Sequence, residues 1–186
     1  QDKYGFMWFS DQTNQCIVRY DGTSMKRYVY DFAKQDTPYG MGGYYPEWLT
    51  TDRDGFIWIA YYGQGLDRFD PDNGTFVHYK NNPNDSTSLI SNTVTCVIAD
   101  HLGYVWIGTH SGLDRLDPKT GHFTHYTYES DNPNSLSHNV VRSVYEDRQG
   151  TIWVGTGFFV DGGNRGGLNR LDRKSGSITR YLNDTT

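Results

Sequence analysis

Residues Asp100–Tyr126 read DHLGYVWIGTHSGLDRLDPKTGHFTHY. The chain says nearly the same thing from Asp52, DRDGFIWIAYYGQGLDRFDPDNGTFVHY, and again from Asp147, DRQGTIWVGT, followed from Gly166 by GGLNRLDRKSGSITRY. Trp8, Trp58, Trp106 and Trp153 mark the period, at spacings of 50, 48 and 47 residues. A glycine stands three residues before each (Gly5, Gly55, Gly103, Gly150) and an aspartate three before each glycine (Asp2, Asp52, Asp100, Asp147). A period of this length belongs to a solenoid, a propeller or an array, and the strands inside one period decide among them.

Each full period holds four short strands. The first is TVTCVIAD or VVRSVYED, the second YVWIGT or TIWVGT, the third GLDRLD and the fourth FTHY or ITRY. Asp-x-x-Gly turns join the first two strands, and turns such as DPKTG join the last two, where Pro and Gly set the backbone. No segment carries a sustained helical period. Four antiparallel strands in about 45 residues define a β-propeller blade, so the fold class is all-β. The blades run approximately 1–45, 46–92, 93–138 and 139–186. The first begins at a first-to-second strand turn, so 15 strands are expected: three full blades and one lacking its innermost strand. Folding the second strand back on the third pairs Trp8 with Arg19, Trp58 with Arg68, Trp106 with Arg115 and Trp153 with Arg170. The expectation is a guanidinium over each indole, worth about 0.5–2 kcal/mol.

Bulk properties fit that picture. Among 186 residues, 21 are Gly and 16% are aromatic, 15 of them Tyr, a mixture that favours strands and tight turns. The net charge is −5 with no basic cluster, which argues against nucleic acid and against direct membrane contact. No apolar run is long enough to span a bilayer. Cys16 and Cys96 fall at non-equivalent blade positions and read as two small buried hydrophobes rather than a disulfide.

DRQGTIWVGT, GGLNRLDRKSG and SLSHNVVRSVYED resemble the two-component regulator propeller repeat: an Asp-x-x-Gly turn, Trp-(Ile/Val)-Gly-Thr, then Gly-Leu-x-Arg-(Leu/Phe)-Asp. The third and fourth repeats match closely and the second well. The first, MWFSDQTNQCIVRYDG, lacks both Gly-Thr and Gly-Leu. The resemblance implies a periplasmic or extracellular sensor half of a membrane-bound bacterial regulator, often a hybrid histidine kinase, and a carbohydrate-type ligand. It implies a non-catalytic module with no cofactor.

A propeller sorts its loops onto two faces. First-to-second and third-to-fourth turns, on one face, barely change between blades. Second-to-third loops and inter-blade connections, on the other, change greatly: THSG, AYYGQG and TGFFVDGGNRGG, and DFAKQDTPYGMGGYYP, NNPNDSTSLISN and ESDNPNSLSHN. Uniform turns read as scaffold and divergent loops as site. The candidate ligand-binding set on those loops is Tyr44, Tyr45, Tyr61, Tyr62, His110, Phe158, Phe159, Asp161, Asn164 and Arg165, with Tyr39 nearby. Aromatic faces beside Asn, Asp and Arg suit a sugar, which offers C–H patches and hydroxyls together. A second reading is a propeller glycosidase or polysaccharide lyase fragment. It needs two facing carboxylates, for which Asp36, Asp85, Glu129, Asp131 and Asp161 are the candidates. A third is a purely structural dimerisation module. Partners other than a ligand are the remaining blades of a longer parent chain or further copies of this one.

No metal site is expected. The Asp-x-x-Gly and DPDNG turns lack EF-hand spacing and its closing Glu. His78 and His125 hold equivalent fourth-strand positions, where the other blades place Arg27 and Arg180, and read as blade surface. No catalytic residue is assigned.

Overall fold

The structure, a computed structural model, describes residues 1–158 and 166–182. Its 15 strands form four antiparallel sheets in chain order. The first blade has three strands: β1 (Met7–Asp11), β2 (Cys16–Tyr20) and β3 (Met25–Val29). The second comprises β4 (Pro46–Thr51), β5 (Ile57–Tyr61), β6 (Gly65–Asp70) and β7 (Thr75–Tyr79). The third comprises β8 (Val94–Ala99), β9 (Val105–Thr109), β10 (Leu113–Asp117) and β11 (His122–Tyr126). The fourth comprises β12 (Val141–Glu146), β13 (Ile152–Thr156), β14 (Gly167–Leu171) and β15 (Ile178–Tyr181). Among the described residues, the helical content is one 3-10 turn at Phe32–Lys34. The propeller expectation holds, strand for strand.

All four Trp–Arg registers form as the turn lengths dictate. Three of the guanidiniums, however, lie over a different ring. Arg19 is 4.4 Å from the Phe6 centroid, Arg68 is 4.6 Å from Phe56, and Arg115 is 4.9 Å from Tyr104 against 5.9 Å from Trp106. The stacked residue sits two before the Trp, because the indole itself is engaged elsewhere. Each indole Nε1 donates to Oδ2 of the aspartate six residues earlier, at 2.7–2.8 Å in every blade. The other oxygen of that aspartate accepts the backbone N–H groups of its own turn. Each indole also packs on the tyrosine that closes the fourth strand: Trp8 on Tyr28, Trp58 on Tyr79, Trp106 on Tyr126 and Trp153 on Tyr181. The Asp-x-x-Gly-x-x-Trp spacing is therefore one unit, a turn whose first residue holds the blade's largest side chain.

Packing between blades repeats too. The Trp-bearing face of one blade meets the branched aliphatic face of the next. Trp58 and Leu66 cluster with Val105, Ile107 and Leu116, and Trp106 and Leu113 cluster with Ile152, Val154 and Leu171. Cys16 and Cys96 are free and buried. On the uniform face, the cation after the turn aspartate of the first and second blades reaches the following blade. Lys3 donates to the Asp54 carbonyl, and Arg53 donates to the carbonyls of His101 and Leu102. The turn glycine of that next blade makes room. A Cβ on Gly103 would stand 3.0 Å from the Arg53 guanidinium, one on Gly55 2.5 Å from Lys3, and one on Gly150 2.8 Å from His101. Gly103 also has φ +92°. Gly103→Ala is therefore expected to destabilise by about 1–2 kcal/mol and to displace Arg53. Thermal melts of the two forms check this, and an unchanged midpoint would show that the turn relaxes freely.

Candidate functional site

The innermost strands of the three full blades each carry a bulge at the same place: between Pro46 and Trp48, Val94 and Cys96, and Val141 and Ser143. The extra residues are Glu47, Thr95 and Arg142. A bulge re-aims a side chain, and all three line one cleft of about 460 Å³ on the divergent face. Trp48, Tyr62, His110 and Phe158 complete its wall. Trp48 comes from β4, and the other three each follow the second strand of a different blade.

His110 is the centre of this group. The Tyr62 and Phe158 rings meet it edge-on at 5.7 and 6.0 Å. The tight THSG turn fixes its backbone: Thr109 donates to the Gly112 carbonyl, and the His110 N–H donates to the Thr93 carbonyl. Its Nε2 is buried with no hydrogen-bond partner. Burial, and then the Arg142 charge, push the imidazole below its usual 6.5, against an opposing pull from Glu47. The ring is therefore neutral at neutral pH. The site thus joins an imidazole, a carboxylate, a guanidinium, a hydroxyl and exposed aromatic rings.

Of the residues singled out from sequence, the structure brings Tyr62, His110 and Phe158 together. Tyr44 and Tyr45 are exposed but stand apart, packed on each other and on Tyr30. Tyr61 requires correction. It is fully buried, and its hydroxyl donates to Asp67 Oδ2 at 2.8 Å. Strand alternation puts it on the same side as Ile57 and Ile59, facing the core. Phe159, Asp161, Asn164 and Arg165 lie outside the described residues. Sequence reading overlooked Glu47, Thr95 and Arg142, whose role depends on the bulges. It also overlooked Trp48, although a signal existed: it is the one tryptophan not preceded by an Asp-x-x-Gly turn.

His78 and His125 need correction as well, since neither is plain blade surface. His78 Nδ1 lies 2.7 Å from buried Asp67, and its Nε2 lies 2.9 Å from the Thr37 carbonyl. His125 links Asp114 at 2.6 Å to the Ser86 carbonyl at 2.8 Å. The same aspartates accept backbone N–H groups from Gly42 and Ile90, next to the buried plugs Met41 and Leu89. In the fourth blade Asn169 accepts from Ser137 beside Leu136, and Arg180 donates to the carbonyls of Ser135, Asn132 and Glu129. These are clamps that hold each inter-blade connection to its own sheet, and so shape the divergent face. Among the described residues no group of three or more His, Cys, Asp and Glu could hold a metal ion, and no helix is long and apolar enough to cross a membrane.

Stacked four-stranded blades around an axial cleft define a β-propeller. Two segments, residues 88–111 and 135–158, match the two-component regulator propeller family, each running from the plugging leucine through the second strand of its blade. No curated protein matches the chain. Among solved structures, an extracellular domain from B. thetaiotaomicron, assigned to a hybrid two-component system, is 28% identical with a TM-score of 0.79. The similarity covers 98% of this chain and 24% of that one, so the chain spans about a quarter of that domain. Virginiamycin B lyase from Staphylococcus aureus shares the fold at 16% identity and a TM-score of 0.67, over 99% of this chain and 54% of the lyase.

Proposed function

We propose that this propeller is a non-catalytic ligand-binding module of an extracytoplasmic bacterial sensor, and that a carbohydrate-type ligand occupies the axial cleft. The observation that carries the reading is the cleft wall. Rings from two blades flank the imidazole of a third, beside one carboxylate and one guanidinium. Such a wall offers stacking for C–H faces and hydrogen bonds for hydroxyls. The likeness to a two-component extracellular domain supports the sensor role and the location outside the cytoplasm.

The hydrolase reading finds less support. Glu47 is the one carboxylate among the described residues that line the cleft. Asp36 pairs with Lys80, while Asp85, Glu129 and Asp131 bond within their own turns. Two carboxylates facing across a cleft are what glycosidic cleavage requires.

The test is calorimetric titration with an oligosaccharide panel. Once a binder is found, Trp48→Ala and Tyr62→Ala are each expected to weaken it roughly 10- to 30-fold, as for anchors worth about 1.5–2 kcal/mol. Both rings are about half exposed, so the melting temperature should stay put. Binding that survives both changes would move the site elsewhere, and cleavage products would overturn the non-catalytic reading.

A further inference from the structure

The junctions between blades are not equivalent on the uniform face. In the third blade the Arg115 guanidinium lies over Tyr104 and donates at 3.3 Å to Thr124 Oγ1, the residue opposite it on the fourth strand. The fourth blade then fills the junction with Arg173. That side chain lies 5.8 Å from the Trp106 ring and bonds to the Gly150 carbonyl, Asp100 and Glu146.

Between the second and third blades both features are replaced. Arg68 lies 4.6 Å from the Phe56 centroid, but the residue opposite it is Val77, which offers no side-chain acceptor. Pro118 stands where the fourth blade has Arg173. The result is a hollow of about 170 Å³, walled by Arg53, Asp54, Phe56, Arg68, Pro118 and Lys119. Arg53 is engaged with the carbonyls of His101 and Leu102. Among the described residues, the Arg68 guanidinium and the Lys119 ammonium have no hydrogen bond and no ion pair. Asp52 borders the hollow too, but its carboxylate is taken by its own turn and by the Trp58 indole. Asp54 is therefore the one uncommitted carboxylate facing these cations. Between the first and second blades the counterparts of Asp54 and Lys119 are Tyr4 and Asp72, which bond to each other across the junction.

We infer that the hollow between the second and third blades is a binding site for a small oxyanion, a carboxylate or phosphate group, held by the Arg68 guanidinium with Lys119 at its rim. A guanidinium whose face is covered by a ring keeps its N–H edge for an acceptor, and two coplanar N–H groups match two oxygens of an oxyanion. Arg68 is half-buried, so water and salt screen the contact less than they would at an open surface. The site lies on the face opposite the axial cleft and is independent of the ligand proposed there.

Nuclear magnetic resonance of the arginine Nε–Hε groups tests this, with phosphate and acetate titrated separately at constant ionic strength. The Arg68 signal is expected to move saturably, and the tighter of the two anions names the group recognised. The Arg115 signal, whose guanidinium already has Thr124, should stay put. Pro118→Arg installs the fourth blade's own residue and should abolish the response. Val77→Thr supplies the acceptor that Arg115 has and should weaken binding about two- to tenfold; Val77 is 42% exposed, so the change spares the core. Asp54→Asn should tighten binding about two- to fivefold, a gain that no loss of folding can imitate. An Arg68 signal that drifts in proportion to added anion, without saturating, means an adventitious ion only and overturns the inference. So does a response that survives Pro118→Arg, or one that Asp54→Asn leaves no tighter.

Discussion

Asp100→Ala is expected to be among the most damaging single changes in the chain. Asp100 is 5% exposed and carries four hydrogen bonds. It accepts from the Leu102 and Tyr104 backbone at 2.9 Å, from the Trp106 indole at 2.7 Å and from Arg173 of the next blade at 2.5 Å. Alanine would leave an indole N–H without an acceptor inside a blade–blade interface and take from Arg173 one of its two carboxylates, the other being Glu146. Stranding a buried donor costs about 1–3 kcal/mol. In a domain of this size that lowers the melting temperature by roughly 2–12 °C. Asp147 makes the same indole bond at 2.8 Å, to a half-buried Trp153. Water can replace it there, so Asp147→Ala should cost markedly less. Equal losses in paired thermal melts would show that the indole bond, and not its burial between blades, sets the cost.

The second large effect belongs to the clamp at His125, and it depends on pH. Asp114 is fully buried, and its two oxygens take His125 and the Ile90 N–H. His125 faces an acceptor on each nitrogen, so the doubly protonated ring satisfies both. The bond to Asp114 raises His125 above its usual 6.5 against the effect of burial. Burial pushes His78 down, but the bond and charge of Asp67 more than reverse this, so it too ends raised. A raised histidine contributes stability that is complete below its unfolded value and is lost as pH rises through the folded value. Burial also pushes the Asp114 carboxyl up, which carries the same sign at lower pH. The melting temperature should therefore fall as the pH rises above about 6.5. In the His78→Gln, His125→Gln double variant that slope should flatten. His125→Leu should cost about 3–5 kcal/mol near neutral pH, where the imidazolium pairs with buried Asp114, and less on the alkaline side, where the wild-type ring has already given up its proton. A wild-type midpoint that rises with pH over this range would contradict the imidazolium assignment.

The clamps were legible in the sequence and were overlooked. Where the third strand has Asp67 or Asp114, the fourth has His78 or His125. Where it has Asn169, the fourth has Arg180. Each pair lies in direct register. Comparing the third and fourth strands together, rather than each column alone, shows a donor matched to an acceptor. The same holds for Tyr61, whose place in the core follows from alternation with Ile57 and Ile59.

The sequence by itself determined the blades. Turn length and a two-residue side-chain period fix which residues face each other within one repeat, so Trp106 opposite Arg115 could be read without a structure. It also determined the face of the propeller on which the molecule varies, because near-identical repeats expose their own differences. What only the tertiary structure decided is the cleft. Trp48, Tyr62, His110 and Phe158 belong to three blades and meet because the blades stack radially. Glu47, Thr95 and Arg142 join them because a bulge turns each toward the axis. Neither the angle between blades nor the direction of a bulged side chain is written in a local pattern. Both are set by how whole sheets pack, through contacts between residues about 50 positions apart.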